Sequence, residues 1–517
     1  MEIPFVTFIV ILCLILSDVT RMFDKLKVLN KSSGSIKVSA PAAPAGQLPT
    51  VKSIYQSRNN FGVNLGSVFV LEKFMYGDFF IDNSGAELDA ISRHVEKKGI
   101  DKTRKLLEKH WGNYMSQKDW KYLASKGVQA VRIPIGYWGI NGGEFAKNTN
   151  FAKISPVYQN CWKFYKQLIE TAKNYKIGVL VDLHALPKGA NTGDHSGEVL
   201  KNAGFWESST AISIAIDLVT FIAHDVINYE NVCGLQIVNE SEFSNDGKHQ
   251  KKYYTAAINA IRSVNADIPI VISDGWWPDQ WVRWINDNSQ NGDLGVIIDT
   301  HIYRCFADDD KKKSPEQIIE DLDKTVLKDL SGKLDILIGE YSCVLDGDSW
   351  SKTNQNRAKL VQQYGQTEQR LFKQRAKCGS YFWTFKFQYG DGGEWGFVPM
   401  VESGSIPLRQ KQINLPSEDI FNNNLNQLSQ GHENYWRDQN PNEKYEHWRY
   451  KEGFITAWCD SNEFAKFDLS ELGRVVAWTN ARKLEHIKAR GGGRFVWEWE
   501  LGFQAGLDSY RREAFGY

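Results

Sequence analysis

The chain has 517 residues, with 62 basic and 62 acidic side chains and a formal net charge of zero. This length excludes a single small module, because a β/α barrel with its loop insertions alone occupies roughly 250 to 400 residues. The balanced charge creates no overall field that would attract nucleic acid or an anionic membrane surface, so we expect an uncharged ligand and no nucleic-acid partner.

The first 54 residues are predicted to lie outside the folded domain. An apolar run at residues 3–16 has about the length of a signal-peptide core, so residues 1–20 are a candidate signal peptide and the protein is expected to be secreted or held in the cell wall. No basic side chain precedes this run, and Met22 offers an alternative start that would give a cytoplasmic protein. Residues 21–54 are predicted to form a disordered linker.

Eight short apolar runs follow, with stretches of helical character between them. They lie at residues 61–65, 130–135, 178–183, 233–238, 268–273, 296–300, 334–338 and 381–385. Their Val, Ile and Leu content is typical of strands that are buried on both faces of a parallel sheet. Eight such strands close a β/α barrel, whereas a doubly wound sheet would require a glycine-rich phosphate turn after the first strand. We therefore predict an α/β protein with a TIM (β/α)8 barrel at residues 55–410.

Crossover helices are predicted at residues 106–126, 157–175, 211–229, 253–264 and 358–378, and their lengths suit connections between parallel strands. The pattern changes after residue 410, and residues 411–517 are predicted to form a C-terminal extension of unknown role. Within this extension, the segment Gly453-Phe454-Ile-Thr-Ala resembles Gly502-Phe503-Gln-Ala-Gly. Five residues do not establish a repeat, so we interpret the likeness as chance.

Seven cysteines are spread along the chain, without a C-x-x-C pair or histidines at the spacing of a zinc site. This pattern predicts no structural zinc, and nothing else in the sequence indicates a metal or another cofactor. If Cys13 is removed with a signal peptide, the remaining cysteines permit one or two disulfides without requiring any. We expect no membrane span in the barrel, and a monomer.

The reacting side chains of β/α barrels project from the carboxyl ends of the strands. Strands four and seven end in Glu240 and Glu340, and these strands face each other across the barrel. Hydrolysis of a glycosidic bond requires two carboxyl groups that flank it, and a pair about 5 to 5.5 Å apart allows one to attack while the other donates a proton. Either glutamate alone could be an exposed strand-end charge, but the pair favours a glycosidase.

The residues beside the two glutamates indicate their roles. Asn239 can donate a hydrogen bond to a sugar 2-hydroxyl, and this contact strengthens in the transition state. Glu240 is therefore predicted to be the acid/base, which requires a raised pKa. Two histidines at strand ends, His301 and His184, are predicted to orient it.

Glu340 is predicted to be the nucleophile, because the guanidinium of Arg132 and the hydroxyl of Tyr303 would keep its carboxylate ionised. Trp383, in the last strand, is predicted to form a floor under the sugar ring. Arg132, His184 and Trp383 each have a structural alternative as satisfied core residues, and it is their joint placement at strand ends that favours a site. Two aspartates placed before strand ends are expected to hydrogen-bond backbone groups inside the barrel, namely Asp182 and Asp299.

In chain order, these motifs resemble those of glycoside hydrolase family 5, and within it the fungal exo-β-1,3-glucanases. The similar blocks begin with Phe-Gly-Val-Asn-Leu-Gly-Ser at 61–67 and Val-Arg-Ile-Pro-Ile-Gly-Tyr-Trp at 131–138, and continue at 181–184, 239–240, 301–303, 339–340 and 382–383. The resemblance covers residues 60–407 and implies a retaining enzyme with Glu240 as acid/base and Glu340 as nucleophile. It also implies that Glu72 contacts the terminal glucose, which favours exo-action; a solvated charge at a helix start is the alternative.

The resemblance implies release of glucose from the non-reducing ends of β-1,3-glucans, with retention of configuration. The first motif departs from the family at Gly66-Ser67, and this favours a second hypothesis, a β-glucosidase that acts on small or lipid-linked glucosides. A non-catalytic glycan-binding protein is the third hypothesis, although each catalytic position carries the expected type of residue. The 18 tryptophans suit all three, because aromatic faces commonly bind neutral sugars.

Overall fold

The structure is a computed structural model that describes residues 36, 46–289, 294–330, 332–410 and 412–516. The candidate signal peptide and most of the predicted linker lie outside these residues. Helix α1 (Val51–Ser57) begins after Thr50, whose side chain accepts a hydrogen bond from the backbone N–H of Ser53. Residues 51–54, at the end of the range predicted as linker, are therefore helical, because this cap and the burial of Ile54 hold them in place.

Eight parallel strands form a closed barrel in chain order, which confirms the predicted fold class. The strands are β1 (Asn60–Asn64), β2 (Ala130–Gly136), β3 (Gly178–Ala185), β4 (Val232–Gln236), β5 (Ile270–Ser273), β6 (Val296–Arg304), β7 (Ile336–Leu345) and β8 (Gly379–Phe382). Strand β7 extends beyond its predicted end at residue 338, because it stays paired with β6, with His301 opposite Glu340.

The interior of the barrel is apolar at one end and charged at the other. The amino-terminal end is filled by Ala130, Leu180, Cys233, Val271, Ile297, Leu337, Cys378 and Tyr381. Residues two positions further along a strand point to the same face of the sheet, and three of these are Arg132, Asp182 and Asp299. These three residues form a charged layer, which packs on the apolar layer below it and lies toward the carboxyl ends of the strands.

The helices between the strands, together with short helical turns, surround the barrel. They are α2 (Glu87–Lys98), α3 (Ile100–Tyr114), α4 (Gln117–Ser125), α5 (Cys161–Lys173), α6 (Ser209–Asp225), α7 (Lys248–Arg262), α8 (Pro278–Asn288), α9 (Asp308–Lys311), α10 (Pro315–Thr325), α11 (Gly347–Trp350), α12 (Arg357–Arg375) and α13 (Phe397–Glu402). The single helix predicted at residues 106–126 is two helices, because the first ends at Tyr114 and Ser116 caps the next by accepting from the backbone N–H of Asp119.

Residues 412–516 contain a helical domain with α14 (Glu418–Gln439), α15 (Trp448–Lys466), α16 (Val475–Arg490) and α17 (Val496–Phe515). Helices α15 and α17 pack at very short range. A Cβ atom on Gly453 would lie 2.1 Å from the carbonyl oxygen of Trp499, and one on Gly502 would lie 2.0 Å from that of Tyr450. The two similar segments of the extension therefore mark a helix crossing that only glycine allows.

This helical domain covers the amino-terminal end of the barrel. The backbone N–H of Asn59, just before β1, donates to the carbonyl oxygen of Glu471 at 2.8 Å. Asp335, just before β7, accepts from the backbone N–H of Val476 at 3.2 Å. In the part of the chain that the structure describes, each helix is too short or too polar to cross a membrane, and the six cysteines have free thiols.

Candidate active site

A cavity of about 360 Å³ opens at the carboxyl ends of the strands, opposite the helical domain. Most of the predicted site residues line it, and Arg132 and His301 lie directly behind, each bonded to one of the two glutamates. The lining consists of Glu72, Phe74, His184, His195, Asn239, Glu240, Tyr303, Phe306, Glu340, Trp383 and Trp395. The structure thus brings together side chains that the sequence places up to several hundred residues apart.

Arg132 is the centre of the charged layer and is fully buried. Burial alone would lower the pKa of its guanidinium, but the carboxylates of Asp182, Glu340 and Asp299 outweigh this effect and raise it above its ordinary value. The acceptors within 3.1 Å of its nitrogens are Glu340 at 2.9 Å, Asn239 at 2.6 Å, Gln236 at 2.9 Å, Asn64 at 3.0 Å and Asp182 at 3.1 Å. This guanidinium therefore orients five side chains that come from four strands or the residues just after them, β1, β3, β4 and β7.

Glu340 receives one hydrogen bond on each carboxylate oxygen. Arg132 Nη1 lies 2.9 Å from Oε1, and the hydroxyl of Tyr303 donates to Oε2 at 2.9 Å. Burial and the charges of Glu340 and Glu240 raise the pKa of Tyr303 well above its ordinary value, so its hydroxyl keeps the proton that it donates. These two donors, one on each oxygen, leave the carboxyl group of Glu340 little freedom to rotate.

Glu240 follows β4 in the left-handed backbone region, with φ 41°. Such a conformation is costly for a residue other than glycine and needs support from its surroundings. Here Asn191 Nδ2 donates to the carbonyl oxygen of Glu240 at 2.9 Å, and the N–H of Ser241 donates to Ser273 Oγ at 3.0 Å. The backbone around Glu240 is therefore held from two sides.

The carboxylate of Glu240 accepts from His301 Nδ1 at 2.8 Å, and the other ring nitrogen of His301 lies 3.1 Å from Asp299 Oδ2. Burial alone would raise the pKa of Glu240, but the hydrogen bond and charge of His301 lower it to about 2. The pKa of His301 is raised well above its ordinary value, since Glu340 and Asp299 outweigh the opposing effect of burial. The pKa of Glu240 is therefore lowered, where the sequence predicts a raised one, because the nearby imidazole of His301 favours the carboxylate form.

The two glutamates converge as the strand positions predict. One carboxylate oxygen of each, together with a ring nitrogen of His301, forms a group whose members lie within 4.8 Å of one another. Paired carboxyl groups at about 5 to 5.5 Å are typical of retaining glycosidases, while inverting enzymes require roughly 6.5 to 9.5 Å to admit a water molecule between them. The spacing therefore corresponds to the retaining arrangement.

Asn239 and His184 form a second line of hydrogen bonds along the cavity. The side-chain oxygen of Asn239 is occupied by Arg132, and its nitrogen lies 3.4 Å from His184 Nε2. His184 Nδ1 is in turn 2.6 Å from Asp182, which therefore bonds side chains and not the backbone groups expected from the sequence. Among the described contacts, His184 reaches Asn239 but has no hydrogen bond to Glu240. The rings of His184 and Trp383 are nearly parallel, with centroids 6.0 Å apart.

Asp299 differs from Asp182, because one of its carboxylate oxygens accepts a hydrogen bond from the backbone N–H of Gly339 at 2.7 Å, as the sequence predicts. Its other oxygen lies 3.1 Å from a ring nitrogen of His301.

Glu72 lines the cavity from the segment after β1. Burial, followed by the charges of Glu340 and Glu240, raises the pKa of Glu72 well above its ordinary value. The raised pKa favours the protonated carboxyl, which can both donate to and accept from sugar hydroxyls.

Several residues of the cavity have no counterpart in the sequence prediction. Phe74 and Phe306 are 56% and 62% exposed and, with Trp395 between them, form an aromatic rim at the mouth. Phe306 comes three residues after Tyr303, so its position after a strand end is a signal that could have identified it. His195 lies in a polar loop without any periodic pattern, and nothing in the sequence singles it out.

Two groups of side chains in the described residues have a spacing that could hold a metal ion. One consists of Glu240, His301 and Glu340, and its spacing is explained by the hydrogen bonds described above. The other lies in the helical domain, where Glu498 Oε2 is 2.9 Å from His432 Nε2 and 2.7 Å from His447 Nδ1. Histidine–carboxylate hydrogen bonds explain this second group as well.

Comparison with known proteins adds independent findings. A family model described as cellulase (glycosyl hydrolase family 5) matches residues 92–387, and a second model, described as the C-terminal domain of glucan 1,3-beta-glucosidase 3, matches residues 419–514. A Saccharomyces cerevisiae protein described as an uncharacterized glycosyl hydrolase is 37% identical over 507 residues, which cover 96% of this chain and 100% of that protein. Glucan 1,3-beta-glucosidase 3 of Schizosaccharomyces pombe is 32% identical over 459 residues, which cover 88% of this chain and 95% of that one.

The crystal structure of rutinosidase from Aspergillus niger has a TM-score of 0.54 at 20% sequence identity, over 68% of this chain and 98% of that one. At this identity the likeness concerns the fold alone. The family match spans more than half of the chain, and the Saccharomyces cerevisiae relative is matched over its full length. The chain therefore belongs to glycosyl hydrolase family 5, and within that family it is related to the fungal glucan 1,3-β-glucosidases.

Proposed function

We propose that this protein is a retaining exo-β-1,3-glucosidase that releases glucose from the non-reducing ends of β-glucans. The observation that carries the proposal is the approach of Glu240 and Glu340, with carboxylate oxygens within 4.8 Å, which suits double displacement. The name of the Schizosaccharomyces pombe relative supports the glucan linkage.

In the first half of the proposed reaction, the carboxylate of Glu340 attacks the anomeric carbon and the glycosidic bond breaks. Glu240 gives a proton to the departing oxygen, and His301, at 2.8 Å, is the source of that proton. In the second half, Glu240 takes a proton from water, and the water oxygen displaces Glu340 from the anomeric carbon. Two inversions give net retention.

The position of Glu72 supports exo-action. Its side chain lines the same cavity as both catalytic candidates, and a cavity of about 360 Å³ is at the small end of the usual range for ligand sites. We expect it to hold one terminal glucose, with Glu72 bonded to its hydroxyls and Trp383 beneath the ring.

A second candidate function is favoured by the aromatic rim. Phe74, Phe306 and Trp395 present apolar surface at the point where the group attached to glucose leaves the cavity. Such a rim suits an apolar aglycone, as in a glucosylated sterol or ceramide, as well as the flat face of a further glucose unit. A β-glucosidase of lipid-linked glucosides is therefore the alternative.

A substrate panel with product analysis tests both candidates. Purified protein should release glucose from laminarin, and NMR of the early reaction should show the β-anomer. An initial α-anomer would contradict double displacement, and a higher kcat/KM on a glucosylated sterol or ceramide than on laminarin would favour the alternative.

The variant Glu340→Gln tests whether the chain is catalytic at all. It should lose kcat by several orders of magnitude while the fold is retained, because the side chain lines an open cavity and the amide keeps its shape. Glu320→Gln, on the exposed surface of α10, is the matched control and should keep full activity. Undiminished turnover of Glu340→Gln would remove the proposed mechanism, whereas binding of glucan without any turnover by the wild type would indicate a glycan-binding protein.

A further inference from the structure

His195 lies beside Glu240 in the loop between β3 and α6. Its Nε2 atom is buried without a hydrogen-bond partner and is 3.4 Å from Glu240 Oε2. That oxygen is not the one bonded to His301, which lies against Oε1. Glu240 therefore has a histidine beside each carboxylate oxygen, one in a formed hydrogen bond and the other close to one.

The loop that carries His195 is also the loop that holds the backbone of Glu240. Asn191 Nδ2 donates to the carbonyl oxygen of Glu240 at 2.9 Å, and Asn191 Oδ1 accepts from the backbone N–H of Gly193 at 2.8 Å. Gly193 lies so close to the imidazole of His195 that a Cβ atom there would be 2.4 Å from the ring. Both the carboxylate and the imidazole are therefore positioned by one short segment.

The charged groups around His195 come from several strands. Glu240 faces it from the segment after β4, His184 from β3, Glu340 from β7 and His301 from β6, and Asp194 precedes it in its own loop. Burial, which outweighs the attraction of the two glutamates, lowers the pKa of His195. A neutral imidazole has one N–H, so it can donate a hydrogen bond to a carboxylate without competing as a proton source.

We propose that His195 is a positioning residue for Glu240, whose Nε2–H donates to Oε2 when Glu240 acts as the general base in the second half of the reaction. This inference rests on the proposed function. In that step, a water proton passes to Glu240, the water oxygen bonds to the anomeric carbon, and the bond to Glu340 breaks with its electron pair returning to the carboxylate. The hydrogen bond keeps Glu240 ionised and aimed at the water until the proton is transferred.

The test compares His195→Leu with His195→Gln, since glutamine keeps an N–H donor of similar reach and leucine has none. With 2,4-dinitrophenyl β-glucoside, a substrate whose leaving group needs no proton, the second half of the reaction limits turnover. In His195→Leu, kcat should fall by about 10- to 100-fold, the usual effect of a lost hydrogen bond to a charged group. KM should fall in parallel, because the glycosyl-enzyme accumulates, so kcat/KM should change little.

The pH dependence of kcat distinguishes a positioning role of His195 from a loss of the fold, because misfolding lowers kcat without moving its acidic limb. Without the donor, the carboxylate form of Glu240 is less favoured, so the acidic limb of kcat should move to higher pH in His195→Leu. His195→Gln should return kcat and the acidic limb toward those of the wild type.

Other outcomes overturn the inference. If His195→Leu keeps the wild-type kcat and profile, His195 does not position Glu240. If KM rises and kcat/KM falls equally for activated and unactivated glucosides, His195 is a sugar contact instead. If the wild type hydrolyses no β-glucoside, the proposed function and this inference fail together, whereas hydrolysis that is indifferent to His195 overturns the inference alone.

Discussion

Arg132 Nη1 and Glu340 Oε1 lie 2.9 Å apart in the interior of the barrel, although 208 residues separate them in the chain. The guanidinium also donates hydrogen bonds to four other acceptors. Lysine cannot replace it, because a single ammonium group lacks the planar arrangement of several N–H donors. We expect Arg132→Lys to lower kcat by at least about 100-fold, in the range seen when a fixed electrostatic donor is removed. Unfolding in denaturant should also be easier by about 1 to 3 kcal/mol, because buried acceptors lose their partner.

The control for this variant is Arg93→Lys, whose partner Asp89 lies at 2.9 Å in an exposed pair. Ion pairs between exposed side chains contribute little to stability, so activity and stability should be nearly unchanged. Equal activity of Arg132→Lys and the wild type would contradict the role given to the guanidinium.

Tyr303→Phe removes one of the two donors to Glu340 without removing the ring that packs against Phe306 and Trp395. A hydrogen bond to a charged group contributes about 1.5 to 3 kcal/mol, so kcat should fall by roughly 10- to 100-fold. Steady-state kinetics on an aryl β-glucoside measure this, and thermal unfolding should show that the fold is kept. A rise in KM with kcat unchanged would mean that Tyr303 binds the sugar and not the nucleophile.

The pair of His301 and Glu240 predicts the pH range of activity. Because the pKa of His301 is raised above its ordinary value near 6.5, its proton remains available in neutral solution and is lost only at higher pH. The basic limb of kcat/KM should therefore lie well above pH 6.5. The part of the stability that comes from protonated His301 is complete below pH 6.5 and is lost as the pH rises through the folded-state pKa.

In His301→Gln, the basic limb that belongs to this proton should disappear, and kcat/KM should fall by roughly 100- to 10,000-fold for substrates with poor leaving groups, the usual range for general acid catalysis. Activated aryl glucosides should be affected far less. A wild-type basic limb that is unchanged in this variant would show that another group supplies the proton.

Glu368 on α12 predicts a pH dependence of stability that is independent of the site. It is fully buried beside Tyr364, and burial raises its pKa well above the ordinary value. A raised folded-state pKa means that the stabilising effect of the protonated group is complete at low pH and declines as the pH rises above about 4.5.

Glu368→Gln removes this titration while keeping the shape of the side chain. Denaturant unfolding at pH 5 and at pH 8 should show a smaller loss of stability with rising pH in the variant than in the wild type. The exposed Glu320→Gln should follow the wild type at both values. Parallel curves for Glu368→Gln and the wild type would mean that Glu368 is ionised in the folded protein.

The close crossing of α15 and α17 predicts that alanine is harmful at Gly502. The added Cβ would lie 2.0 Å from the carbonyl oxygen of Tyr450, so the two helices must separate, at a cost of about 1 to 3 kcal/mol. Gly431, within α14, is the matched control because nothing lies within 4 Å of a Cβ there. Gly431→Ala should raise stability by roughly 0.5 to 1 kcal/mol. Thermal unfolding of both variants checks the difference in sign.

The barrel could be predicted because its strands are apolar runs that end in reactive residues, and alternation along the chain is a local signal. Glu240 and Glu340 could be predicted as site residues because each follows one of these apolar runs. The role of His195 could not be predicted, since it depends on a loop that folds back on the strand carrying Glu240. The sequence also could not predict that the pKa of Glu240 is lowered. This shift depends on the distance between Glu240 and His301 and on the charged groups around His301.

The helical domain illustrates a different limit. The helix α14 is rich in Asn and Gln and buries few of its side chains, so the sequence alone predicts only an extension in this region. From the sequence alone, the likeness of the segments at Gly453 and Gly502 is interpreted as chance, but in the structure both glycines lie against a carbonyl oxygen of the opposite helix. A pattern of this kind becomes informative only when the partner helix is known, because close approach is a property of the pair.

Barrel closure sets the order in which this chain can fold during synthesis. The side chain of Asn64 in β1 donates to the carbonyl oxygen of Tyr381, which is synthesised 317 residues later. The partner of the Asn59 backbone N–H, Glu471, is synthesised later still. Until then β1 and the newest strand each have an unpaired edge, and such edges are where nascent chains associate. We expect the need for chaperones to persist through most of translation and to fall once β8 has emerged.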